Sequence, residues 1–245
     1  MMISPELYYD DNLKGKSAEE IMRQISSLKK DCNRLKRELE SNCLEPTIAV
    51  SPSPLTMIKV YREYLEKAKQ ALEEVGEKYE PTYFEKKDIA FNESLASLKS
   101  ISLLTENNQS SESIEISVLG EKISCNRFSF NHFNERTLDI SKSELIGILS
   151  EMHLGEWKRN YYNSDSFEGV RWCLEIIYAD KRRRVNFSGV NEFPYNFNEL
   201  ADFFNSVKPA ISAFEYPVSF EVYPKGSTIQ KNQDGTITII PPENV

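Results

Sequence analysis

The sequence predicts an α+β protein. Its parts are an N-terminal antiparallel helical hairpin of coiled-coil type, an antiparallel-sheet domain with two packed helices, and a C-terminal β-hairpin. Two early segments repeat apolar residues every three or four positions, and later segments alternate apolar with polar residues between turn signals. We divide the 245 residues into a helical arm (1–80), an α+β domain (81–216) and a C-terminal hairpin with its tail (217–245).

The first long helix is predicted to begin after Ser17. Ser17 and Glu20 have the spacing of a reciprocal capping box. The apolar residues that follow are spaced four and three apart and are flanked by charged residues, which is typical of a helix that packs against one partner helix. These residues are Ile21, Ile25, Leu28, Cys32, Leu35 and Leu39.

A second helix of matching length is predicted to begin near Leu55, after a proline-rich link at 43–54. Its stripe includes Ile58, Tyr61, Leu65, Ala68, Leu72 and Val75. Gly76, followed by Pro81, predicts its end. The short link favours pairing of the two helices within one chain, and a coiled coil between two chains is the alternative. The residues expected at this interface are Ile21, Ile25, Leu28, Leu35, Leu39, Leu65 and Leu72.

Beyond Pro81 the apolar residues alternate with polar ones, which predicts antiparallel strands. The predicted strands cover residues 97–105, 113–130 and 135–140. Ser141 and Glu144 then have the spacing of a second capping box, and Gly155 is placed to end the helix that they begin.

Two more strands and a third helix complete the predicted domain. One face of the first strand carries Val170, Trp172, Leu174, Ile176 and Tyr178. Alternation resumes at Val185, and Asn196 with Glu199 predicts the capped start of the helix. Near the C-terminus, Asp234 and Gly235 predict the tight turn of a hairpin.

Four stretches of the chain are distinctive: ISPELYYDDNLKGKSAEEIM, YREYLEKAKQALEE, LGEWKRNYYN and GVRWCLEIIYADKRRRVNFSGVNEFPYNFNELADFF. The last contains a W...SGxNxFPxNFxEL unit. In these stretches, mainly within 1–80 and 145–206, the chain resembles a group of bacterial hypothetical proteins of gut and mobile-element type. That group has no assigned activity, so the resemblance implies a bacterial cytoplasmic protein and no particular chemistry.

Composition narrows the function classes. Hydrophobic residues make up 40% and charged residues 28% of the chain, as in an ordinary globular protein. The net charge of −8 disfavours a chain that coats nucleic acid or anionic membrane over its whole surface. No apolar run approaches the roughly 20 residues of a membrane-spanning helix, and the first residues lack the features of an export signal. We therefore expect no membrane partner.

Several chemistries lack their usual residues. The two histidines, His132 and His153, are far apart, so we expect no metal site. The four cysteines form no C-x-x-C pair and indicate a reduced, cytoplasmic chain. Glycine-rich phosphate-binding loops and catalytic serine motifs are missing. We therefore expect no cofactor and no catalytic residues.

Two other sets of residues are candidates for binding. The basic run Lys181, Arg182, Arg183 and Arg184 follows a predicted hairpin turn and could bind phosphates; its alternative role is a charged sheet edge that blocks aggregation. A shallow ligand groove could be bordered by Trp157, Tyr161, Trp172, Asn191 and Tyr195.

The leading hypothesis is a non-enzymatic cytoplasmic protein whose helical pair binds a protein partner or a second copy of the chain. The first alternative is a nucleic-acid-binding protein that uses the basic hairpin tip. The second alternative is a domain that binds a small ligand in the groove.

Overall fold

The computed structural model describes residues 3–41, 52–129, 132–162 and 169–210, and the backbone of 228–231 and 237–240. In this part of the chain it contains six α-helices and a seven-stranded, mostly antiparallel sheet, which confirms the α+β class. The chain forms two compact units, Met1–Ala210 and Ile211–Val245. The proline-rich link lies almost wholly outside the described residues.

The helices of the first unit are α1 (Pro5–Asn12), α2 (Ala18–Ser41), α3 (Pro54–Glu74), α4 (Tyr83–Ser94), α5 (Lys142–Glu151) and α6 (Phe197–Val207). Two short 3-10 turns cover Leu95–Ser97 and Leu154–Glu156. Within the described residues, no helix combines the length and apolar character needed to cross a membrane.

The strands of the first unit are β1 (Leu98–Glu106), β2 (Ser111–Leu119), β3 (Lys122–Ser129), β4 (His132–Leu138), β5 (Asn160–Tyr162), β6 (Arg171–Tyr178) and β7 (Val185–Val190). Their order in the sheet is β4-β3-β2-β1-β6-β7-β5. Neighbouring strands are antiparallel except β5 and β7, which are parallel. This parallel pair places residue 160 opposite residue 188 and forms one edge of the sheet.

Side-chain caps fix where several helices begin. The predicted box at Ser17 is present, because the Ser17 backbone N–H donates to Glu20 at 2.9 Å and the Glu20 N–H donates to the Ser17 hydroxyl at 3.4 Å. Ser141 and Glu144 form the second predicted box. A third box, formed by Thr82 and its partner three residues later, begins α4, a helix that the sequence analysis did not predict.

The predicted side-chain cap at Asn196 is wrong, although the helix begins where it was predicted. α6 does begin after Asn196, but the Asn196 side chain makes no cap hydrogen bond. Its amide instead accepts a hydrogen bond from the Trp157 indole N–H at 2.9 Å and donates one to the Met152 carbonyl at 2.7 Å. A buried amide with two buried partners satisfies more polar groups than an exposed cap would.

α1, α2 and α3 share one apolar cluster. It buries the stripe residues of α2 from Ile21 to Cys32 against Leu65, Ala68 and Leu72 of α3. Tyr8 of α1 stacks on Tyr64, with the ring centroids 4.1 Å apart. The other end of the helical pair reaches the main core.

The main core lies between one face of the seven-stranded sheet and the helices. The predicted alternation is present in β6, where Trp172, Leu174, Ile176 and Tyr178 are all buried. Val170, predicted on the same face, precedes the strand and is exposed. α5 and α6 cover this face with Leu145, Leu149, Leu200 and Phe204. Leu35 of α2 and Ile58 of α3 are part of the same core.

The second unit contains β8 (Thr228–Lys231) and β9 (Ile237–Ile240). These strands pair antiparallel, with Thr228 opposite Ile240. The predicted turn at Asp234 and Gly235 lies outside the described residues.

Candidate functional site

An arginine-lined cleft lies beside the connection between β6 and β7. It is lined by Arg159, Arg183, Arg184 and Asn186 and encloses about 430 Å³. Two of the arginines belong to the predicted basic run. Arg159 joins them because it immediately precedes β5, which pairs with β7, and the Ser188 N–H donates to the Arg159 carbonyl at 3.0 Å.

The charge of this cleft is only partly neutralised. Arg184 contacts the Glu175 carboxylate at 3.0 Å. The Arg159 guanidinium lies 5.0 Å from the centre of the Phe187 ring, and among the described residues it donates to the backbone carbonyl of Asn186 at 3.4 Å. Arg183 has no ion-pair partner in the described part of the chain. Counted over the described residues, one carboxylate stands against three guanidinium groups, and this set of side chains is net positive and attracts anions.

Asp180, which directly precedes the predicted basic run, pairs with one of its residues. The Asp180 carboxylate accepts the Arg182 backbone N–H at 2.9 Å and pairs with the Arg182 guanidinium at 3.0 Å. The hydrogen bond from that N–H lowers the pKa of Asp180, and the Arg182 charge adds to the effect. Arg182 and Lys181 are exposed at the hairpin tip, whereas the next two arginines line the cleft.

Lys87 of α4 lies near charges of both signs, namely Arg159 of the cleft and the carboxylates of Asp88 and Glu156. Partial burial lowers the pKa of Lys87, and the nearby charge of Arg159 lowers it further. The Lys87 ammonium group donates to the Trp157 carbonyl at 3.0 Å, which fixes it beside the segment that carries Arg159.

The residues predicted to border a groove are brought together, but they are buried. Trp157, Tyr161, Trp172, Asn191 and Tyr195 are each at most 8% exposed. The two indole rings are 6.0 Å apart, and Tyr161 lies 5.9 Å from Trp172. In the structure these side chains belong to the core.

Backbone geometry explains part of this packing. Asn191 adopts a left-handed conformation, with φ of 55°, and its side-chain oxygen accepts the Val170 N–H at 2.8 Å. The Trp172 indole donates to the Glu192 carbonyl at 2.8 Å. A side chain at Gly189 would collide with the Trp172 indole, so glycine is required there.

The residues predicted for a protein interface lie in contacts within the chain. Ile21, Ile25, Leu28, Leu35, Leu65 and Leu72 are buried, and Leu39 is partly buried against the main core. Their apolar surface is therefore covered by other parts of the same chain.

A second polar cluster was not foreseen from the sequence. It contains Asp88 of α4, His153, and Glu156 of the second 3-10 turn. One potential ligand atom from each residue lies within 4.8 Å of the others. The His153 Nδ1 atom is 2.8 Å from one Asp88 oxygen, and the other Asp88 oxygen is buried and has no hydrogen-bond partner in the part of the chain that the structure describes. Such a buried, unsatisfied acceptor costs about 1–3 kcal/mol.

Glu156 connects this cluster to the helical pair. Its Oε2 atom accepts hydrogen bonds from Lys36 of α2 at 2.7 Å, Arg62 of α3 at 2.7 Å and the Tyr195 hydroxyl at 2.8 Å. Burial pushes the pKa of Glu156 upward, but the charges of Arg62 and Lys36 outweigh it and hold the pKa below its ordinary value. Glu156 is therefore a charged, partly buried carboxylate.

Some of these residues had signals in the sequence. Thr82 and Glu85 have capping-box spacing, which marks the beginning of α4 in the sequence. Arg159 stands in the basic segment WKRN. Its approach to Asn186 depends on strand pairing between distant segments, which no local pattern reveals.

No protein family, curated protein or solved structure with which we compared the chain matches it.

Proposed function

We propose that this protein is a non-enzymatic cytoplasmic protein that binds nucleic acid through its phosphate groups at the arginine-lined cleft. The observation that carries the proposal is the placement of three guanidinium groups around one cleft, where the described part of the chain supplies one carboxylate partner. Guanidinium groups bind phosphate oxygens with two parallel hydrogen bonds.

An extended polyanion suits this surface better than a single phosphate. Lys181 and Arg182 continue the positive surface from the cleft to the exposed hairpin tip. The chain as a whole carries a charge of −8, so the cleft must act locally against long-range repulsion. We therefore expect modest affinity with a strong dependence on salt.

The test measures binding of a fluorescent single-stranded oligonucleotide by anisotropy at several salt concentrations. The variant replaces Arg159, Arg183 and Arg184 with Gln. If each arginine contacts one phosphate, the slope of log affinity against log salt should fall by about 2, since single strands contribute roughly 0.7 per phosphate.

A matched control replaces Arg23, Arg34 and Arg37 of α2 with Gln. These arginines are exposed, and the change in net charge is the same. The control should bind like the original protein. Equal weakening in both variants, or no binding of the original protein at low salt, would contradict the proposed site.

A second candidate function is self-association, which we propose to occur through an exposed aromatic pair. Tyr83 and Phe84 at the start of α4 are 77% and 74% exposed, and their ring centroids are 5.6 Å apart. Large aromatic side chains are enriched at protein interfaces because they bury much area at little cost in side-chain entropy.

Sedimentation of a double variant, Tyr83→Ser with Phe84→Ser, tests this second function. The variant should be monomeric at concentrations where the original chain associates. The control is Leu119→Ser, which removes a 65% exposed side chain at the end of β2. A strictly monomeric original chain would exclude self-association.

We also propose that α2 and α3 form an antiparallel hairpin of coiled-coil type within one chain. Lys29 bonds to Tyr79, beyond the end of α3, whereas Lys36 shares Glu156 with Arg62, earlier in α3. This reversed order of contacts supports opposite helix directions.

The free cysteines Cys32, Cys125 and Cys173 support our proposal that the protein resides in the reducing cytoplasm.

A further inference from the structure

Three metal-ligating side chains meet where α4 contacts the second 3-10 turn. Asp88, His153 and Glu156 offer two carboxylates and one imidazole, with one ligand atom from each within 4.8 Å of the others. Within the described residues, this is the group of three such side chains that lies close enough to share one ion. It lies outside the set of residues that line the arginine cleft.

The backbone conformation that brings these side chains together is strained. His153 adopts a left-handed backbone conformation, with φ of 49° and ψ of 44°, which is unfavourable for a residue with a side chain. Gly155 allows the turn to approach α4, because a Cβ atom there would lie 2.7 Å from both the Cα and the Oδ1 atom of Asp88. Strain of this kind is concentrated at functional sites.

Asp88 provides an independent indication that a ligand could bind here. The residue is 8% exposed, and its Oδ1 atom is buried without a hydrogen-bond partner among the described residues. The Oδ2 atom is already 2.8 Å from the His153 ring. A cation beside Asp88 would satisfy the remaining oxygen, as buried carboxylates normally require.

We propose that Asp88, His153 and Glu156 bind one divalent transition-metal ion of the zinc type. Imidazole together with carboxylates is a common ligand set for Zn²⁺, whereas Mg²⁺ and Ca²⁺ prefer oxygen ligands alone. Three protein ligands leave a fourth position for water or another ligand.

Neighbouring cations limit the affinity of this site. Lys36 and Arg62 both contact Glu156 through Oε2, so they neutralise part of the charge that attracts the metal. Removing one of them should strengthen metal binding. Lys36→Met is the suitable variant, because the Lys36 side chain is partly exposed and methionine keeps much of its length.

The experiment uses the full chain after treatment with a chelator. Zn²⁺ is titrated by calorimetry, and Co²⁺ is titrated by visible absorption as a spectroscopic substitute. We expect one ion per chain and a cobalt spectrum without thiolate bands, since none of the three ligands is a cysteine. Asp88→Asn and His153→Asn should each weaken binding by more than about tenfold.

The variants are chosen to preserve the fold. Asparagine is isosteric with Asp88, and at position 153 it tolerates the left-handed conformation. His132→Asn is the matched control, because it removes the other histidine, which is exposed on β4. The control should bind like the original protein, and Lys36→Met should bind at least as tightly.

Each contrary result overturns the proposal. Failure of the original protein to bind either ion would exclude the site. Equal binding by Asp88→Asn, His153→Asn and the control, or a cobalt spectrum with thiolate bands, would assign the metal to other residues. Weaker binding in Lys36→Met would show that Glu156 is not a ligand.

Discussion

Glu156 links α2 and α3 to the rest of the first unit through ion pairs and a hydrogen bond. Three donors, Lys36, Arg62 and Tyr195, contact the same oxygen atom. Lys36, Arg62 and Glu156 are partly buried, so removing the carboxylate would leave two cations with reduced access to water. The side chain is therefore expected to matter for stability.

Glu156→Gln should lower the free energy of unfolding by about 1–3 kcal/mol, since the partly buried Lys36 and Arg62 would lose their carboxylate. Urea denaturation followed by circular dichroism measures this effect. Glu151→Gln, an exposed position in α5, is the control and should stay within about 0.5 kcal/mol of the original protein. A similarly small change for Glu156→Gln would show that water replaces the carboxylate.

Glu85 should make the protein sensitive to acid. Burial alone would raise its pKa, but Lys29, at 2.7 Å, and the Thr82 cap outweigh burial and lower the pKa from 4.5 to about 2. Because the folded pKa lies below the unfolded one, the stabilisation is complete above about pH 4.5 and is lost as the pH falls towards 2.

Glu85→Gln should accordingly flatten the dependence of stability on pH between these values, and thermal unfolding across that range measures it. Glu93→Gln, an exposed position at the other end of α4, controls for the loss of a surface carboxylate. An unchanged slope in Glu85→Gln would contradict the lowered pKa.

At the scale of the element, the contact between α4 and the second 3-10 turn depends on one glycine. A Cβ atom on Gly155 would lie 2.7 Å from the Asp88 backbone and 2.8 Å from the Phe91 side chain. Such an approach is closer than real side chains adopt, so the two elements would have to separate.

Gly155→Ala should therefore destabilise the protein by about 1–3 kcal/mol. Gly147→Ala is the matched control, because Gly147 lies exposed within α5 and nothing stands within 4 Å of the added atom. There alanine should stabilise the helix by about 0.5–1 kcal/mol. Thermal denaturation of both variants distinguishes the two effects, and equal shifts would exclude the close contact.

Elements with a strong local period were predictable from the sequence, and α4 was not. α2 and β6 each bury one regular stripe or face, so spacing alone identifies them. α4 instead buries Asp88 and Ser94 and exposes Tyr83 and Phe84. Its apolar residues therefore form no stripe, and only the capping box marks its beginning.

The candidate sites were likewise predictable only where their residues are neighbours in the sequence. Arg183 and Arg184 were predicted because they are consecutive in the chain. Arg159 was missed because the parallel pairing of β5 with β7 brings it to the cleft. The Asp88 cluster likewise depends on packing between distant segments.

At the scale of the whole molecule, the proposed cleft and the metal-ligating cluster both belong to the unit Met1–Ala210. A chain that ends at Ala210 should therefore unfold cooperatively and keep the salt-dependent binding of oligonucleotide. Anisotropy and calorimetry measure these properties against the full chain. Loss of binding in a folded shortened chain would show that residues 211–245 contribute to the site.

The distribution of aromatic residues has a practical consequence. Both tryptophans lie in the main core with their rings 6.0 Å apart, whereas the stacked pair of Tyr8 and Tyr64 lies in the cluster formed by α1, α2 and α3. Indole emission thus monitors the sheet side of the molecule alone, and near-ultraviolet tyrosine bands include a separate signal from the helices. Comparing the two optical signals during denaturation would reveal whether both regions melt together.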